Sequence, residues 1–392
     1  LAGDLSDFID AVLAATGKEK VHLVSRCLGT SIAASYLTFY GADKIESCVM
    51  YAGSAMGILP ISTFFSGSLN IDPDALQRFA DNATAESDYV ELMKTFASIL
   101  KMSKIATNIF ENNFKIAINQ ILPDLLLETY ATMPSHWSMV SHEYYEKAKS
   151  FIFNGREEEY AGLISKIDNY HYGVQQILPD TLTRLKEEGL KIYIFAKYNF
   201  ELAPLYENSN FQSDDTIEVS SMSFGAYAPV FGKVLSDEYV ANAKANGNGK
   251  YISPDYIIDA SGCLFPDNTW FIKDAGHETW PPSVYDFILK ILRTKDQYTI
   301  TTNPDYPQFL QYNALDGSLR KVTRYSTLQV QKLVSDKLEY NGKTQKPKAT
   351  FIDAAGKIAD FCNDIISGYM NDIVKKLEKF EVGIKKAYKK VD

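Results

Sequence analysis

The sequence predicts an α/β protein built on a mostly parallel sheet, with a large helical insertion and a C-terminal extension. Three observations lead there. Helical and strand-like segments alternate with short connections over 1–56. The alternation then stops over 57–182, which reads as mostly helical. It resumes over 183–297 and ends in a closing helix.

Each element has its own signal. Residues 4–16 place Leu5, Phe8, Ile9, Val12 and Leu13 at helical spacing, and Gly17 is the expected stop. "KVHLV" (20–24) reads as a buried strand, "LGTSIAASYLTFYG" (28–41) as a helix ending at Gly41, and "IESCVMYAG" (45–53) as a second buried strand. The 57–182 stretch is aromatic-rich and punctuated by "LPD" at 122–124 and 178–180. A helix stopped by Gly189 and a strand account for "TLTRLKEEGLKIYIFAKYN" (181–199), and "NSNFQSDDTIEVSS" (208–221) is a polar loop. "NTWFIKDAGHETWPPSVYDFILKIL" (268–292) gives a strand, a turn bearing His277, and a helix. The extension, 298–392, opens with a hairpin over Asp316-Gly317, continues with two strands in 337–357, and ends in an amphipathic helix with a Lys-rich opposite face.

Composition narrows the function classes. A hydrophobic share of 46% and a charged share of 23% suit a chain that buries a real core. A net charge of -9 argues against nucleic acid as a partner, because no basic stripe is available to neutralise phosphates. The four cysteines (Cys27, Cys48, Cys263, Cys362) are too scattered for a disulfide framework or a zinc site. Cys48 and Cys263 read as buried thiols, and no cofactor or metal is expected. No apolar run approaches the length of about 18 residues that spans a bilayer.

Chemistry-bearing residues fall in a fixed order: Cys27 after a strand, Asp214 and Asp215 after a later one, His277 after the last. A weak nucleophile needs an adjacent imidazole, itself held in one tautomer by a carboxylate. In open parallel sheets such groups collect at the carboxyl ends of strands. A nucleophile on a tight strand-to-helix elbow requires small neighbours two residues either side, here Ser25 and Gly29. The helix that follows aims its N–H groups at the sulfur, which makes the Leu28 amide a candidate oxyanion donor.

On the residues "VHLVSRCLGT" at the elbow, "SDDTIEVSS" (213–221) at the acid loop and "DAGHETWP" (274–281) at the histidine, the chain resembles the α/β-hydrolase superfamily. Within it, the likeness is to the lecithin:cholesterol acyltransferase-like lipases and acyltransferases, and it covers roughly 1–295. The resemblance implies that Asp214 orients His277, that the helical insertion is a lid, and that the substrate is an apolar acyl ester. Trp137 and Phe151 of the insertion are the expected cleft contacts. Two departures accompany it. The family nucleophile is Ser, whereas Cys27 stands here, as in polyhydroxyalkanoate synthases and dienelactone hydrolases of the same fold. Arg26 replaces the usual His of the elbow. The resemblance also implies several strands ahead of the elbow, where only about 20 residues stand, so either a separate N-terminal segment completes the sheet as a partner or the sheet is truncated.

Two alternatives stay open: a catalytically silent hydrolase-fold surface or scaffold protein, and a Ser hydrolase whose nucleophile has been substituted by Cys. His22, His136, His142 and His171 read as structural or lid residues. The terminal helix suits packing onto its own domain or a partner helix, or a membrane-surface contact. "YNGKTQKPKATFIDAAGK" resembles the opening of Ig-like β modules of bacterial surface proteins, so the expected location is extracellular or the bacterial cell surface, with the cytoplasm as the alternative.

Overall fold

The computed structural model describes residues 1–68, 122–124, 126–127, 130–202 and 211–324. The strands expected in 337–357, the terminal helix, Cys362 and the middle of the helical insertion lie outside the described residues.

The central sheet has six strands: β1 (Val21–Cys27), β2 (Ile45–Gly53), β3 (Lys191–Tyr198), β6 (Thr269–Lys273), β7 (Phe309–Asn313) and β8 (Ser318–Lys321), hydrogen-bonded in that order. The first five are mutually parallel, and β8 runs antiparallel to β7. A short pair, β4 (Phe200–Glu201) with β5 (Gln212–Ser213), stands apart from it. The hairpin over Asp316-Gly317 therefore belongs to the central sheet and is not part of an extension outside it. Its Gly317 has φ 70, the left-handed conformation that a glycine adopts without strain.

Helices cover both faces of the sheet. The alternation of side chains along each strand decides which residues each face receives. Cys48 and Met50 of β2 and Ile192 and Ile194 of β3 pack with Ile9, Leu37, Leu178 and Leu182, contributed by α1 (Ala2–Thr16), α2 (Gly29–Tyr40) and a later helix, Leu178–Glu187. Val49, Tyr51, Tyr193 and Phe195 point the other way, onto Val219, Met222, Val284 and Phe287. Those last four come from the helices Val219–Ser223 and Pro282–Arg293. On that face Phe195 stacks on Trp270 at 5.5 Å, and Phe287 closes edge-on against both rings.

The helical insertion has a core of its own. It begins with α3 (Leu59–Phe65) and continues through α4 (Pro134–Trp137), α5 (His142–Phe153) and α6 (Ala161–Tyr170) to a π-helical turn, His171–Gln175. The helix Leu178–Glu187 is then α7, Val219–Ser223 is α8, Asp237–Ala245 is α9 and Pro282–Arg293 is α10. Phe65, Trp137, Tyr145, Ile152 and Phe153 form the insertion's buried cluster. Gly57 opens it at φ 95, and a Cβ there would lie 2.4 Å from the Cα of Ser141. Among the described residues, no helix is long and apolar enough to cross a membrane.

Candidate active site

β1 ends at Cys27 with φ 47, a left-handed backbone that costs a non-glycine residue energy and concentrates at functional sites. The neighbourhood holds it there. Thr30 Oγ1 donates to the Cys27 carbonyl at 2.6 Å and accepts from the Ser54 amide at 2.9 Å, so the elbow is tied to the end of β2. Ser25 is buried and donates to the Val49 carbonyl at 3.0 Å. Gly29 departs from the expectation of crowding: a Cβ built there meets no heavy atom within 4 Å, so its smallness leaves room and relieves no clash. Leu28 caps α2 with helical φ −55 and ψ −29, at the end where a helix's first amides lack intrahelical partners.

The acid and the histidine meet as the sequence order suggests. Nδ1 of His277 lies 2.7 Å from Oδ2 of Asp214, and the His277 amide donates at 2.7 Å to the Asp214 carbonyl. Oδ1 of the same carboxylate accepts from the amides of Ile217 at 2.8 Å and Thr216 at 3.2 Å. Both residues are buried. Burial alone would raise the Asp214 pKa, but His277, Lys197 and the Ile217 amide together hold it below the usual carboxylate range. Burial likewise opposes a charged imidazole. The Asp214 carboxylate overrides it, and a side-chain hydrogen bond with Cys27 adds to the effect, lifting His277 to about 10. Because Nδ1 is committed to Asp214, Nε2 is the nitrogen left for the thiol. Asp215, also buried, sits at φ 80 with Thr216 Oγ1 on its carboxylate at 2.8 Å; burial and the neighbouring Asp214 charge raise it to about 6.

Three residues absent from the expected set complete the site. Lys197, fully buried on β3, sends Nζ to the carbonyls of Gly276 and His277 at 2.8 Å each and of Thr279 at 2.9 Å. Arg26 donates through Nη2 to the His277 carbonyl at 2.7 Å and to Glu278 at 3.0 Å, with its guanidinium 5.0 Å from the Trp280 ring centroid. Glu218 accepts from the Leu59 amide at 3.1 Å, linking the acid loop to the first helix of the insertion. A lysine in the otherwise apolar run "IYIFAKY" is the signal that points to Lys197.

The expected cleft contacts lie elsewhere. Trp137 is wholly buried in the insertion's core, stacked on Phe153 at 5.3 Å, and its Nε1 donates to the Ala131 carbonyl at 2.8 Å. It offers no surface to a substrate, because its ring completes the packing between helices. Phe151 lines an open depression with Ser66, Lys147 and Arg156, which shares no lining residue with Cys27, Asp214 or His277. Ile61, Met139 and Trp280 are among the partly exposed apolar residues packed on the same large core as Cys27. His22 bonds Ser47 Oγ at 2.7 Å within the sheet, and His171 is buried under Tyr145, with ring centroids 3.7 Å apart. Cys48 and Cys263 are buried free thiols, each pushed up to about 12 by burial. Among the described residues, no cluster of His, Cys, Asp and Glu is placed to hold a metal ion.

Fold and site together define an α/β protein with a mostly parallel sheet, Cys27 and the His277 loop at its strand ends, and Asp214 on the neighbouring loop. Compared with known proteins, the chain matches no family model and has no significant match among curated proteins or solved structures.

Proposed function

We propose that the chain is a lidded hydrolase of the α/β type that transfers or hydrolyses the acyl group of an apolar ester through Cys27, His277 and Asp214. The observation that carries this reading is a cysteine strained to φ 47 at a strand end, whose neighbour Arg26 bonds the His277 carbonyl at 2.7 Å, facing an imidazole whose Nδ1 sits 2.7 Å from a buried carboxylate. Apolar side chains packed on the same core as Cys27, Ile61, Met139 and Trp280 among them, favour an acyl chain over a charged substrate.

In this reading the Cys27 thiolate attacks the ester carbonyl, forming a C–S bond, and the tetrahedral oxyanion sits against the Leu28 amide. The C–O bond to the alcohol breaks, and the His277 imidazolium gives its proton to the departing oxygen. Water or a second alcohol then attacks the thioester, His277 takes up its proton, and the thiolate leaves. A raised imidazole pKa suits a sulfur nucleophile, since the ion pair is the attacking form; a serine would need the neutral base. Asp214 remains ionised throughout and stabilises the imidazolium.

The test is stoichiometric acylation by a p-nitrophenyl ester of short chain, with the label mapped by peptide mass. Labelling at Cys27 that disappears in His277→Ala supports the proposal. Full esterase activity in Cys27→Ala would sink it.

A further inference from the structure

The two cations nearest the histidine loop, Arg26 and Lys197, converge on one backbone atom. The His277 carbonyl accepts from Lys197 Nζ at 2.8 Å and from Arg26 Nη2 at 2.7 Å. Resting on the catalytic reading of Cys27 and His277, we propose that Arg26 and Lys197 are positioning residues that clamp the His277 backbone and set its imidazole against the Cys27 thiol.

The geometry supports this from both sides. An ammonium has three N–H bonds, and Lys197 spends them on three carbonyls of one loop, those of Gly276, His277 and Thr279. Three acceptors spread over four residues leave that loop little freedom to rotate. Tyr51 reinforces the arrangement: its ring lies 4.7 Å from Lys197 Nζ, and its hydroxyl donates to the Thr279 carbonyl at 3.3 Å. Lys197 projects from β3, two strands from the elbow, so it fixes the loop to the sheet. Arg26 immediately precedes Cys27, so its bond ties the same carbonyl directly to the elbow. Glu278 and the Trp280 face hold the guanidinium in place.

A buried lysine in an apolar strand is costly unless its charge is satisfied. Burial pulls Lys197 down to about 8, and the charges that face it are Asp214, Arg26, Asp215 and Glu278. Below that pH the ammonium has all three donors. A methionine would fill the same volume with no cation and no donors, which separates packing from positioning.

The experiment compares the full chain with Lys197→Met, Arg26→Met and Arg26→Lys. Two quantities are read on folded protein, verified by a cooperative melt: the acylation rate of Cys27 by p-nitrophenyl acetate against pH, and the titration of the His277 imidazole by NMR. A 1 Å displacement of a reacting group costs about a hundredfold, so each Met variant is expected to acylate at least tenfold more slowly. Its pH profile should drift toward that of His277→Ala, and its His277 titration should move away from wild type. Arg26→Lys, which restores one donor, should recover a substantial part of the rate. If Lys197→Met does not fold, the Arg26 pair decides alone. Wild-type rates, profiles and imidazole titration in the folded Met variants would overturn the clamp while leaving the Cys27 mechanism intact. Failure of wild-type Cys27 to acylate, or acylation indifferent to His277→Ala, would instead sink the proposed function. The NMR titration would then still decide whether the clamp holds the imidazole.

Discussion

Asp214 and His277 are joined twice, through side chains at 2.7 Å and through the His277 amide to the Asp214 carbonyl at 2.7 Å. The second bond makes the pair a property of two loops rather than of two rotamers. Asp214→Asn therefore keeps the backbone contact while removing the charge that raises the His277 pKa. We expect it to fold normally, to lower the imidazole pKa seen by NMR, and to slow Cys27 acylation by roughly tenfold or more. An unchanged imidazole titration would contradict the assignment.

The buried titratable groups set a pH dependence of stability whose sign can be worked out. Asp215 and Glu218, raised by burial to about 6 and about 7, bind protons in the folded state that the unfolded chain releases from about pH 4 upward. Stability contributed by those protons falls as pH rises through that range. His277, raised to about 10, is protonated when folded and increasingly neutral when unfolded above about 6.5, so it extends the fall. Two groups act oppositely, each making stability rise with pH in its window. His171, lowered by burial to about 4, binds fewer protons than the unfolded chain up to about pH 6.5 and offsets part of the fall there. Lys197, with a folded value of about 8, does so between there and about 10.5. Urea midpoints should decline from pH 5 to 8 and then level off. A midpoint climbing steadily over pH 5–8 would refute this account.

Trp137 separates packing from substrate contact. It touches Phe65, Tyr145 and Phe153 and is fully buried. Trp137→Ala should cost about 3–5 kcal/mol in chemical denaturation. The acylation rate of the protein that remains folded should change little, whereas a ring lining the cleft would alter the chain-length preference.

The fold was legible where period and punctuation agreed. β2 spans 45–53 as its apolar run implies, and Gly17 caps α1 in the left-handed conformation with its amide on the Leu13 carbonyl. Cys27 and His277 could be read because each follows a strand of the parallel sheet, whose carboxyl ends share one edge, whereas Asp214 follows the short β5 outside that sheet and was legible only as a carboxylate in a polar loop. The hairpin at 309–321 was legible as a hairpin, but not as sheet, since nothing local encodes that β7 pairs with β6. Trp137 and Phe151 misled because aromatic residues in a helical segment have the same spacing whether they line a cleft or fill a core. Lys197 was marked only as a lysine in an apolar run; the partners of Lys197 and Arg26 in the histidine loop are backbone carbonyls, which the sequence does not display.

A buried ion pair at the end of β6 offers a stability test that leaves Cys27, His277 and Asp214 unchanged. Lys273 Nζ lies 2.9 Å from Asp255 Oδ2, with both side chains buried. The same carboxylate accepts from Tyr198 OH at 3.2 Å and Ser253 Oγ at 2.6 Å. Removing one partner of a buried pair leaves the other charge unsatisfied, at about 3–5 kcal/mol, which exceeds what the pair itself contributes. Asp255→Ala should therefore destabilise severely, while the double variant Asp255→Leu with Lys273→Met should recover much of the loss. The measurement is a denaturation series of the single and double variants. Equal losses in both would mean that Asp255 acts through Tyr198 and Ser253 rather than through the lysine.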